Sequence, residues 1–101
     1  MIVHWTGHDI ATWDAAHSAA SAALQQDWAY GSSLMMLGVP VLRAKIYQDQ
    51  EPVAQAQFIM RKWGGLVSIA LCTRGPVWLK PLSPIEEARV YAALKKSLPL
   101  S

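Results

Sequence analysis

The sequence predicts an α+β fold, an antiparallel β-meander flanked by helices, and three observations carry that prediction. Near the N-terminus Ile10, Trp13, Ala20 and Leu24 recur at helical spacing, with His17 on the same stripe. After Pro40 the period changes to two, as Leu42, Ala44 and Ile46 alternate with Arg43, Lys45 and Tyr47. Towards the C-terminus, Ser83-Pro84-Ile85-Glu86 has the form of a helix start. The chain has 101 residues, of which 52% are hydrophobic and 16% charged, so a single packed core is affordable and the disordered class is excluded.

Taken in order, Ile2 to Trp5 is a short β-prone opening, and Asp9 is placed to accept from free amides at the start of the first helix. That helix carries Ile10, Trp13, His17, Ala20 and Leu24 inward and Asp14, Ser18, Ser21 and Gln25 outward. A second helix is expected from about Trp28 to Leu37, ended by Gly38 in the left-handed conformation and by Pro40. Val41 to Tyr47 reads as a strand with one buried face and one that meets solvent. Gln48 to Pro52 is a polar turn, and Val53 to Arg61 returns as the second arm of a hairpin. Trp63-Gly64-Gly65 makes the next turn, and Leu66 to Thr73 is a third strand whose apolar run points to burial on both faces. Gly75 and Pro76 break it. Ser83 caps the final helix, Pro84 takes its first position, Lys95 and Lys96 suit its negative end, and Pro99 stops it. The first and last helices are expected to cover the meander and bury Leu42, Ala56, Phe58, Ile69 and Leu71.

Several function classes are excluded by composition. The formal charge is +2 and the nine Lys and Arg are scattered, which leaves no footprint for intrinsic nucleic-acid binding. The longest apolar run, Leu34 to Leu42, is interrupted by Gly38 and Pro40, so no transmembrane segment is expected. The N-terminus has no secretory pattern, and the single cysteine, Cys72, fits a reducing compartment, so cytoplasmic location is the expectation. No nucleophile elbow, phosphate loop or paired-cysteine motif occurs. His4 and His8 lack the further ligands that a metal site needs, and Cys72 reads as a core thiol. Trp13 and Trp28 read as core anchors, whereas Trp63, at a turn, and Trp78, beside the Gly-Pro break, are candidates for a ligand wall. Arg74 ends an apolar strand at a chain break, where a guanidinium grips a phosphate or carboxylate or else a surface partner.

An ordered series of residues adds a resemblance. It runs through Gln26-Asp27-Trp28-Ala29-Tyr30-Gly31, Gly38 and Val41-Leu42-Arg43-Ala44, then Glu51-Pro52-Val53-Ala54-Gln55-Ala56-Gln57, Arg61 and Arg74-Gly75-Pro76-Val77-Trp78-Leu79. This set resembles the amino-terminal portion of FemAB-like acyltransferases, relatives of the GNAT superfamily that include peptidoglycan interpeptide-bridge enzymes. What the resemblance implies is the first half of a GNAT-like domain that transfers an acyl or aminoacyl group to an amine acceptor, such as a small molecule or a peptidoglycan precursor. The donor would be acyl-CoA or an aminoacyl-tRNA, and no cofactor is held within this chain. Trp28, Tyr30 and Arg74 are the expected substrate-facing residues. The resemblance spans roughly residues 20 to 98 and stops where the next central strand and a cofactor loop would follow, so the chain is expected to be a partial domain, inactive alone. Two departures stand out. Arg61 to Leu66 only approximates the family's phosphate loop and precedes a strand, and Ser32-Ser33-Leu34 stands where many relatives place a lysine. The alternative is a small non-enzymatic α+β module that self-associates through an open sheet edge.

Overall fold

A computed structural model describes residues 1–63, 67–72 and 74–99, with the backbone alone for 62, 63, 67–69 and 71. The order is β1 (Ile2–His4), α1 (Ile10–Ala19), a 3-10 turn (Leu24–Gln26), α2 (Trp28–Met36), β2 (Val41–Gln48), β3 (Glu51–Trp63), β4 (Val67–Leu71), β5 (Val77–Trp78) and α3 (Pro84–Ser97). The expected α+β architecture is present: an antiparallel sheet in the order β1-β2-β3-β4, with β5 paired to β3. Because Ile59 pairs with both Val41 and Leu71, and Ala54 with both Ile46 and Trp78, β4 and β5 lie on the same flank of β3.

Local rules account for most element ends. Asp9 accepts from the Thr12 amide at 2.9 Å and opens α1, and Ser83 and Glu86 complete a reciprocal capping box on α3. Gly38, at φ 84°, ends α2 with paired bonds, Gly38 N to Met35 O and Val39 N to Leu34 O, both 3.0 Å. The β2–β3 turn is tighter than expected. Asp49 and Gln50 both adopt left-handed φ, so two residues suffice and the strands run on to Gln48 and Glu51. A bulge at Ile46/Tyr47 lets Pro52, which has no amide proton, join the ladder.

Two expectations about packing are corrected. The first helix ends at Ala19, not near Leu24, and Ile10 and Leu24 are exposed; only Trp13 of its stripe is fully buried. Ser21 turns with a left-handed φ and redirects the chain so that the 3-10 turn reaches β3. The second correction concerns the polar face of the meander, which does not meet solvent: Lys45, Gln55 and Gln57 are buried beneath α1, the 3-10 turn and α2. The opposite face is apolar. There Ala44, Ile46, Ala54, Ala56 and Phe58 form the core with Val90 and Leu94 of α3, and Leu42 is half-buried against it. The side chains of Ile69 and Leu71, the turn at 64–65 and the two-sided burial expected for the third strand lie outside the described residues.

Candidate functional site

Four sequence segments meet at one buried polar junction on the amide face. Gln57 pairs with Arg43 of β2 on one side, but on the other flank, between the β5 pairing at Gln55 and the β4 pairing at Ile59, no strand among the described residues pairs with its backbone. The Gln26 side chain fills that place: Gln57 N donates to its Oε1 at 2.7 Å and its Nε2 donates to Gln57 O at 3.1 Å, as a neighbouring peptide group would. Gln57 in turn donates through Nε2 to Gln25 O and Asp27 O, and its Oε1 accepts from Arg43 Nε at 2.9 Å. Trp13 Nε1 donates to Gln26 O, and Gln55 Nε2 donates to Trp13 O. Two glycines make the room. A Cβ on Gly31 would overlap the Gln57 amide, and one on Gly75 would come within 2.6 Å of Gln26 Cδ.

The junction places Arg43. Its guanidinium lies 3.6 Å over the Trp28 ring, and Nη2 donates to Trp28 O at 2.9 Å and to Ser32 Oγ at 3.2 Å. Beyond it, β1 and β2 separate after the His4 and Lys45 pair, leaving an open cleft of about 220 Å³. Its walls are the loop after β1, from Trp5 to His8, together with Trp28 and the start of β2, from Val41 to Arg43. Burial pushes His8 below its ordinary value, opposed by the His4 carbonyl 2.9 Å from Nε2. Burial also lowers Lys45, which is only 5% exposed, with Asp9 acting in the opposite sense. Arg43 is lowered by burial too, opposed by Asp14, and stays charged throughout the accessible pH range.

A second cleft of about 280 Å³ is lined by Arg74, Pro76, Val77 and Trp78 with alanines from the α1 end. Arg74 is exposed, and its backbone sits at φ 56°, a conformation rare for residues other than glycine and often retained at functional positions. The sequence singled out Arg74 and Trp78 separately, and the fold puts them in one cleft. Trp28 belongs to the other cleft, and the half-buried Tyr30 of α2 lines neither. A third, apolar groove of about 230 Å³ lies between β4 and α3, where Phe58, Ala70 and Leu94 surround Cys72. Burial pushes the Cys72 thiol up to about 11, so it carries no thiolate at neutral pH. The His4 and His8 pair has no further ligand; among the described residues no group of three or more His, Cys, Asp or Glu could hold a metal. None of their helices is long and apolar enough to cross a membrane.

Arg43 is the functional candidate that reading the strand in isolation missed. The sequence held no local signal for it, since a face of Arg43, Lys45, Gln55 and Gln57 has the composition of one that meets solvent. Compared with protein-family models, with curated proteins and with solved structures, the chain matches none.

Proposed function

We propose that the chain is the amino-terminal, substrate-facing part of a FemAB-like acyl- or aminoacyltransferase. One observation supports this reading above others. The residues that carry the resemblance, from Gln26, Gly31, Arg43, Gln57 and Gly75, come from separated segments and converge on one buried junction. A series that preserves one scaffold behaves in this way, since each member is constrained by another. The reaction is attack of a deprotonated amine on the donor carbonyl, which breaks the thioester of acyl-CoA or the ester of aminoacyl-tRNA and expels the thiol or the tRNA hydroxyl. Arg74, with Trp78 beside it, is suited to an anionic group of donor or acceptor, whereas Trp28 and Tyr30, the other substrate-facing residues that the resemblance implies, lie outside that cleft.

The test is transfer to a peptidoglycan-precursor amine from acetyl-CoA or from an aminoacyl-tRNA, followed by mass spectrometry. The chain is assayed alone and joined to whatever its reading frame encodes beyond Ser101. Transfer is expected only in the joined form, and Arg74→Ala should lower kcat/KM about tenfold or more. Wild-type turnover and affinity in that variant remove Arg74 from the site.

A second reading, a module that pairs through a sheet edge, is favoured by β4. No strand among the described residues pairs with its outer side, and the apolar groove runs beside it. Light scattering decides: a concentration-independent monomer counts against it.

A further inference from the structure

We infer that the cleft between the loop after β1 and the start of β2 binds a compact oxyanion, a carboxylate or a phosphate, through Arg43. Three features converge there. Nε and Nη2 of Arg43 are committed to Gln57, Trp28 and Ser32, whereas Nη1 has no partner among the described residues and remains to donate. The guanidinium is held over the Trp28 ring, 3.6 Å from its centroid, by those same contacts, so its position is fixed before any ligand arrives. Arg43 and Lys45, two positions apart on one face of β2, form no ion pair among the described residues, although both are substantially withdrawn from water. Asp14 and Asp9 act on them only at a distance, and Asp9 is engaged by Thr12. A desolvated cation without a contacting counter-charge favours an incoming anion.

The cleft also limits what fits. At about 220 Å³ it is smaller than the cavities that enclose drug-sized molecules, so it suits a small anion or the anionic end of a larger ligand. With both Nη2 protons used, Arg43 offers the two protons of Nη1 and not the paired end-on fork. One ligand oxygen therefore sits on Arg43, and the uncharged remainder meets Trp5 and Leu42. This inference shares Trp28 with the acyl-transfer reading but does not need that reaction, so a failed transfer assay leaves it standing.

The experiment titrates the isotope-labelled chain with sodium phosphate and, separately, with sodium acetate, holding ionic strength constant with sodium chloride. Saturable shifts are expected at the indole protons of Trp5 and Trp28, the Arg43 Nε proton and the amides of Thr6 to His8. Saturation by phosphate or by acetate identifies which oxyanion the cleft prefers. Arg43→Lys should weaken that binding about tenfold, because an ammonium retains charge but cannot keep the guanidinium's bonds to Gln57, Trp28 and Ser32 while still donating to a ligand. Shifts no larger than those with sodium chloride alone, or confined to the Arg74 cleft or to Lys95 and Lys96, overturn the inference. So does undiminished binding by a folded Arg43→Lys protein. If that variant fails to fold, the wild-type map alone decides.

Discussion

The two faces of the sheet are closed by different physics. Under α3, Ala44, Ala56, Phe58, Val90 and Leu94 exclude water by area, which is non-directional and tolerates substitutions of similar volume. Under α1 and α2, Gln26, Gln55 and Gln57 close the interface by hydrogen bonds to backbone groups of Trp13, Gln25, Asp27 and Gln57 itself. Such a face contributes less per contact but specifies geometry, because each buried amide left unpaired is penalised. The candidate residue Arg43 stands on the specified face.

The largest predicted effect strikes the amide face. Gly31→Ala drives a methyl into Gln57 and breaks its bonds to Gln25, Asp27 and Arg43, destabilising the protein by about 5 kcal/mol, enough to unfold a marginal domain. Urea denaturation read by tryptophan fluorescence measures it. A loss below about 1 kcal/mol would mean that the junction is slack and the contrast between the faces is false.

A matched pair sharpens the comparison. Gln57→Leu keeps approximate volume but takes the side-chain donor from Gln25 O and the acceptor from Arg43 Nε, and leaves Asp27 O with the Gly31 amide alone, a loss of about 3 kcal/mol. Leu94→Ala on the apolar face should cost about 3 kcal/mol through lost transfer energy and a cavity. Only Gln57→Leu should also disturb the Arg43 Nε resonance. Equal disturbance by Leu94→Ala would show that the two faces are coupled.

The smaller effects lie at the helix end. Ser83→Ala removes the α3 cap and should lower stability by about 1 kcal/mol, read as a shift in urea midpoint at unchanged slope. Bonds from Ser83 hold the Glu86 carboxyl below its ordinary value of 4.5. A depressed carboxyl stabilises above its unfolded value and loses that contribution as pH falls through the folded one. The gap between wild type and Glu86→Ala should therefore be greatest near neutrality and narrow below about pH 4.5, as midpoints across pH will show.

The legible parts of this fold were those governed by neighbours in sequence. Asp9, Gly38 and Ser83 were readable because their partners lie within five residues, and the alternation from Leu42 to Tyr47 was readable because strand geometry imposes it. The end of α1 was misread because alanines after His17 satisfy a helical pattern without holding it to anything. Trp78 and Arg74 were each visible as candidates, but their shared cleft was not, since it depends on the path of the α1 end.

By itself, then, the sequence determined element types, caps and the apolar side of the meander, all encoded in short-range spacing. Tertiary structure alone decided what the polar side does. A glutamine in a strand has the same local signature whether it faces water or a carbonyl, and Gln26 finds Gln57 across 31 residues. Because that distant pairing sets where Arg43 lies, the candidate site could emerge only once the chain had folded.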